Sequence, residues 1–203
     1  MKILAASDIH GNKTFIDNLA KKAEKENVEM VVLCGDLTFS EISLEGIIGP
    51  FKKAKKKVLL IPGNHETLAS ADFLSSLYGK YYVKNLHGYY FCKDDIGFFG
   101  CGGGNVGLFS LDEDEIKYTL TKAYRGVSKS KKKVMLTHIP PFGTKTDKIL
   151  FGSAGSTSIK NAIEKIQPDF CLCGHIHECF EKEDMIGKTR VINLGPKGKI
   201  INI

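Results

Sequence analysis

The sequence predicts an α/β fold, a four-layer sandwich in which two mixed β-sheets pack face to face with helices outside. Three observations carry that prediction. Five short apolar runs, rich in β-branched residues, each end within a residue or two of a side chain able to hold a metal. In the first half of the chain such runs alternate with helical patterns, the mark of βαβ units. Further on, aromatic segments broken by glycine read as antiparallel hairpins, which makes the sheets mixed. At 203 residues the chain suits a single domain, 1–203, long enough for a substantial core and short for two.

Taken in order, residues 2–6 are predicted as a buried strand and 13–26 as an amphipathic helix. A strand over 29–34, a short helix over 41–48, a strand over 57–61 and a helix over 66–77 continue the alternation. From Tyr81 to Cys101 the short aromatic segments, interrupted at Gly88 and Gly97, predict antiparallel hairpins, followed by a charged helix over 112–125. The apolar run Val134 to Leu136 predicts a strand leading to His138, and the Pro- and Gly-containing stretch 139–152 a loop. A helix over 156–166, a strand ending at Cys173 and three short strands over 179–185, 189–193 and 199–203 complete the expectation.

Composition narrows the function. No apolar stretch approaches the roughly 20 residues needed to cross a bilayer, and the apolar run before Asp8 is too short for a signal-peptide core. A soluble, cytoplasmic protein is expected. Six cysteines show no regular framework, and Cys34, Cys171 and Cys173 fall in buried-strand patterns, where a free thiol acts as a small hydrophobe. The formal charge of +6 raises the question of nucleic acid, but the lysine runs 52–57 and 129–133 precede predicted strands whose far ends carry the candidate ligands. In a parallel arrangement those runs lie away from the site, as solvated faces. Lys145 and Lys148 follow His138 and belong to a rim loop.

The chemistry-bearing residues are Asp8, His10, Asp36, Asn64, His138, His175 and His177, with His65 and Glu66 beside them. All follow strand ends, where open α/β sheets place their sites. Mixed carboxylate, imidazole and amide ligands suit borderline first-row divalent ions, with Mn first and Fe, Zn, Co or Ni as others. Seven ligands exceed what one open catalytic ion needs and match two ions sharing a bridging carboxylate.

These residues, as Asp8-Ile9-His10, Gly35-Asp36, Gly63-Asn64-His65-Glu66, Thr137-His138 and Gly174-His175-Ile176-His177, resemble the ordered signature of the calcineurin-like metallophosphoesterases. The resemblance implies one divalent ion held by Asp8, His10, Asp36 and His177, and a second held by Asp36, Asn64, His138 and His175, with Asp36 bridging. It implies hydrolysis of a phosphate ester by a hydroxide bridging the ions. His65 would protonate the leaving group or stabilise the phosphoryl oxygens, oriented by Glu66. Gly35-Asp36-Leu37-Thr38-Phe39-Ser40 lacks the arginine with which the family's protein phosphatases grip phosphate. His138-Ile139-Pro140-Pro141 and Asn193-Leu194-Gly195 look more like its compact prokaryotic-type members. Asn105, Lys145 and Lys148 are read as substrate contacts on the rim.

The resulting expectation is a phosphodiesterase acting on small molecules or nucleotides in preference to a monoesterase. The rival readings are a nuclease acting on DNA or RNA and a catalytically inactive metal-binding scaffold. His87 matches none of the five blocks and is read as a turn or core residue. The tyrosines at 81, 82, 89 and 90 are read as packing in short strands.

Overall fold

The computed structural model describes residues 1–79 and 81–203. Strand β1 (Lys2–Ala6) leads to helix α1 (Lys13–Lys25), capped where the Asn12 side chain accepts from the Phe15 N–H. Then come β2 (Met30–Cys34), the short α2 (Gly49–Lys53), β3 (Lys57–Ile61), α3 (Leu68–Tyr78) and β4 (Val83–Asn85). A hairpin of β5 (Tyr90–Lys93) and β6 (Ile96–Cys101) precedes α4 (Glu113–Arg125), which opens on a reciprocal cap between Asp112 and Glu115. After β7 (Lys132–Thr137) come the small hairpin β8 (Lys148–Ile149) and β9 (Gly152–Ser153), α5 (Thr157–Ile166) and β10 (Phe170–Cys173). A short 3-10 turn over His177–Cys179, β11 (Glu183–Ile186), β12 (Thr189–Asn193) and β13 (Lys199–Asn202) complete the order.

Two large sheets result, with strand orders β13-β1-β2-β3-β4 and β11-β12-β10-β7-β6-β5. Both are mixed, because β13, β11 and β5 run antiparallel to their neighbours while the central strands are parallel. The pleat sorts each strand's side chains to two faces. In β1, Ile3 and Ala5 face the other sheet and join Val32, Leu59, Phe98, Val134, Leu136, Leu172 and Ile192 in the inter-sheet core. Leu4 and Ala6 face outward and pack with Ile16, Leu19, Phe51 and Leu74 under α1, α2 and α3. Phe99, Met135, Cys171 and Val191 pack under α4 and α5. The expected four layers, helix, sheet, sheet, helix, are therefore present. Among the described residues no helix is long and apolar enough to cross a membrane.

Three local expectations need correction. The helix expected over 41–48 is α2 at Gly49–Lys53, because Gly46 adopts a left-handed φ of 79° and Pro50 supplies the favoured first-turn residue. Val83–Asn85 does not form a hairpin but pairs parallel with β3 at the edge of the first sheet. The strand expected over 179–185 begins only at Glu183, after the 3-10 turn that carries His177. Lys57 is the first residue of β3 and Lys132 of β7, so both lysine runs do sit at the strand-start end.

Candidate metal centre

Every candidate ligand lies in a loop leaving the same end of the sheets. Asp8 and His10 follow β1, Asp36 follows β2, and Asn64, His65 and Glu66 follow β3, three adjacent parallel strands. His138 follows β7, while His175 and His177 follow its parallel neighbour β10. Backbone bonds lock these loops together: the N–H groups of Asp8 and His10 donate to the carbonyls of Gly35 and Asp36 at 3.0 and 2.9 Å. In the second sheet the Gly174 N–H donates to the His138 carbonyl at 3.0 Å.

Four of the ligand candidates, Asp8, His10, Asp36 and His175, have left-handed backbones with φ of 54°, 49°, 51° and 70°. Such a conformation costs a non-glycine residue roughly 1–2 kcal/mol and persists where the surroundings over-determine it, as at ligand clamps. The glycines ahead of the ligands permit close approach of one motif to the next. A Cβ at Gly63 would stand 2.0 Å from Asp36 Oδ1, and one at Gly174 would stand 2.3 Å from Asp8 Oδ2.

The donor atoms converge. Three groups, Asp8 with His10 and His177, His10 with Asp36 and His65, and Asp8 with Asp36 and His138, each bring their ligand atoms within 4.8 Å of one another. His177 Nε2 is 3.5 Å from Asp8 Oδ1, His10 Nε2 is 3.8 Å from Asp36 Oδ2, and His138 Nε2 is 3.3 Å from Asp36 Oδ1. His10 Nε2 and His177 Nε2 face each other at 3.4 Å. Atoms about 2.1 Å from one ion at angles of 90–109° stand about 3.0–3.4 Å apart; the His10–His177 and His138–Asp36 separations fall in that range, and the other two lie a little beyond it. Asp36 directs one carboxylate oxygen to each side, as a bridge requires.

His138 shows the same need for positive charge. Its Nδ1 is 2.9 Å from the Cys34 carbonyl and so carries the hydrogen, leaving Nε2 to face Asn64 Oδ1 at 3.0 Å and Asp36 Oδ1. Three acceptors meeting there demand a cation, whether proton or metal. Burial opposes a charge on His138, but the Asp36 carboxylate overcomes it and holds the imidazole up at about 9. For Asp36, burial pushes upward, but His138, the His65 N–H and His10 together prevail and leave the carboxyl well below the ordinary range. His175 goes the other way: burial, and then the nearby His138 charge, lower it to about 4, so it is a neutral imidazole.

The remaining site expectations divide. Asn105 reaches the centre, with Oδ1 3.2 Å from His175 Nε2. Lys148 does not, since its ammonium donates to Ser153 within its own hairpin at 3.0 Å; Lys145 is exposed and its backbone N–H donates to Asp184 at 2.8 Å. His65 places Nε2 3.9 Å from Asp36 Oδ2, and its own backbone N–H donates to Asp36 Oδ1 at 3.0 Å. Glu66 is not its orienting partner. The buried Glu66 carboxylate turns away and accepts from the N–H groups of Thr38 at 2.6 Å and Gly63 at 2.7 Å, tying the loops after β2 and β3 together. Burial, and then the Asp36 charge, push this carboxyl up to about 7. The His65 ring rests instead on Phe39, stacked at 5.0 Å, with Ser40 Oγ 3.5 Å from Nδ1.

Phe39 and Ser40 are site residues that the sequence does not mark; their only signal is a place just after Gly35-Asp36. Asn193 is a clamp: its amide donates to the carbonyls of Thr146, Gly174 and Ile176 at 3.1–3.2 Å, fixing the loop of His175 and His177. His87, as expected of a structural residue, accepts the Gly102 N–H at 3.1 Å.

This fold, with Asp and His donors gathered at one end of its sheets, is that of a metallophosphoesterase. The chain belongs to the calcineurin-like phosphoesterase family, whose model matches residues 1–179. It is 30% identical to an uncharacterised protein of Methanocaldococcus jannaschii over 211 residues, spanning 99% of this chain and 91% of that one. Its fold is similar to that of TT1561 of Thermus thermophilus, with a TM-score of 0.77, 17% identity and coverage of 99% and 98%. A dimetal phosphatase from Danio rerio gives a TM-score of 0.66 at 12% identity, covering 97% of this chain and 88% of that one.

Proposed function

We propose that this protein hydrolyses phosphodiesters of small molecules or nucleotides at a centre of two divalent ions. Asp8, His10, Asp36 and His177 would hold one ion and Asp36, Asn64, His138 and His175 the other, with manganese the first candidate metal. The observation that carries the reading is the Asp36 carboxylate, which faces His10 with one oxygen and His138 with the other. The similarity to a protein described as a dimetal phosphatase supports the two-ion assignment.

The ions, when bound, would supply an activated water and neutralise the phosphate. The chain's own residues do the rest. Neutral His175 and the tautomer of His138 fixed by the Cys34 carbonyl present lone pairs inward. His65, with Nε2 3.9 Å from Asp36 Oδ2, would give a proton to the leaving oxygen or stabilise a phosphoryl oxygen. Asn105, beside His175, would donate its amide to the substrate.

A diester is favoured over a monoester because its single negative charge needs less cationic support. The sequence contains two arginines; Arg125 closes α4 and Arg190 lies at the start of β12, paired with Glu183. The lysine runs at the strand starts argue against a nucleic-acid track leading to the centre.

The test is hydrolysis of bis(p-nitrophenyl) phosphate by protein loaded with manganese, alongside metal analysis. Two ions per chain and activity abolished by a chelator are expected. One ion per chain at saturation, or activity that survives chelation, would sink the proposal.

A further inference from the structure

We propose that the exposed face of the Phe39 ring seats a planar apolar group of the substrate, so that the site selects phosphoesters carrying an aryl or nucleobase-bearing group beside His65. The inference rests on the phosphoester reading above and adds the substrate class to it. Phe39 stands in the loop after β2 and is 54% exposed, although it is among the most apolar side chains of the centre. One face stacks on His65 at 5.0 Å and 26°, and an edge meets His10 at 6.0 Å. Any ester group protonated by His65 therefore leaves within reach of this ring.

The outward pose is built into the loop. Before Phe39, the Thr38 N–H donates to Glu66 at 2.6 Å. After it, Ser40 and Glu41 both adopt left-handed backbones, with φ of 50° and 57°, and neither is glycine. Glu41 is pinned in turn: its N–H donates to Thr38 Oγ1 at 3.2 Å, and its carboxylate accepts from the N–H and hydroxyl of Thr67 at 2.6 and 2.7 Å. Strain in two consecutive residues, held by this network, keeps an apolar ring facing water at a charged centre.

Further exposed apolar side chains stand in the loop after β6. Val106 and Leu108 are 61% and 56% exposed, in the loop whose Asn105 touches His175 and whose Leu108 N–H donates to the Asn64 carbonyl at 2.9 Å. A polar centre with exposed apolar side chains in its loops matches a charged phosphate bearing flat apolar substituents. Inorganic phosphate or a small alkyl ester would leave those side chains wet.

Two non-hydrolysable probes test this, methylphosphonate and phenylphosphonate, titrated calorimetrically into the manganese-loaded protein. An offset-stacked or edge-on aromatic pair favours phenylphosphonate by roughly twofold to tenfold. In F39A that preference should fall below about twofold, with metal content unchanged; F39Y should restore it, and F39L, apolar but without a ring, should fall between. Equal preference in the parent and F39A overturns the inference, as does a parent that binds both probes equally. If neither probe binds the metal-loaded protein, the phosphoester reading fails and takes the inference with it.

Discussion

Gly63→Ala tests how the loop after β3 reaches the proposed bridge. The added Cβ would meet Asp36 Oδ1 at 2.0 Å and the Asp36 backbone nitrogen at 2.3 Å, where ordinary contact begins at 3.4 Å. The carboxylate can rotate away but the backbone nitrogen cannot, so the two loops must part by about 1 Å. Overpacking of this kind costs about 1–3 kcal/mol, which for a chain of this size lowers Tm by roughly 2–12 °C. The larger effect falls on the metals. Ligand distances tolerate only about ±0.2 Å, so moving the shared carboxylate weakens both ions together, by tenfold to a hundredfold. Metal stoichiometry by plasma mass spectrometry, with melting in excess chelator, separates the two effects. Gly46→Ala is the control: it has a left-handed φ but nothing within 4 Å of the new Cβ. If G63A binds two ions with near-parental affinity and melts within about 1 °C of the parent without metal, the close-approach argument is wrong.

Replacing His65 by Ala should lower turnover about a hundredfold or more while both ions stay, since a positioned proton donor is commonly worth 10²–10⁴. Loss of an ion in that variant would make His65 a ligand. Glu66→Ala should act on stability: two buried N–H groups lose their acceptor at about 1–3 kcal/mol each, lowering Tm by roughly 4–24 °C. An unchanged Tm with lost turnover would return Glu66 to catalysis. Metal affinity should rise with pH, because an ion at His138 Nε2 must displace the proton held there up to about 9. Below that value affinity falls up to tenfold per unit of acidification, and a flat profile between pH 6 and 8 would refute the assignment. Neutralising either lysine run should leave small-diester turnover nearly unchanged, since a strand length of roughly 17–20 Å exceeds the Debye length of about 8 Å. A large loss of turnover with fold and metals intact would favour a nuclease.

Much of this molecule is legible in its sequence because the main signals are local. The strands at Lys2–Ala6, Met30–Cys34 and Lys57–Ile61 are, past the leading lysines of the first and third, continuous apolar runs, which is what burial on both faces of a sheet selects. The residues that follow them share one end of the sheets for the same reason. Val83–Asn85 defeats a local reading because three residues carry no periodicity, and joining β3 in parallel is a long-range choice. Glu66 misleads because adjacency in sequence does not make side chains adjacent, and its carboxylate turns back to Thr38 and Gly63. Phe39 escapes notice because an aromatic in a motif loop looks like core, and only the strained backbone at Ser40 and Glu41 turns it outward.

The order in which the chain is made differs from the order in which the centre is assembled. Asp8, His10, Asp36 and Asn64 precede residue 65, yet the edge of β1 is covered only by β13, and Ser7, next to Asp8, exchanges hydrogen bonds with Gly195 at 3.0–3.1 Å. A growing chain therefore carries half a ligand set for most of its synthesis, on a sheet whose first strand still lacks its neighbour. On the two-ion reading, capture of ions in the final geometry would be a late event, after both sheets have closed. The metal would then act as a timestamp on a finished fold, and chains stalled before the last strands would fail to retain it.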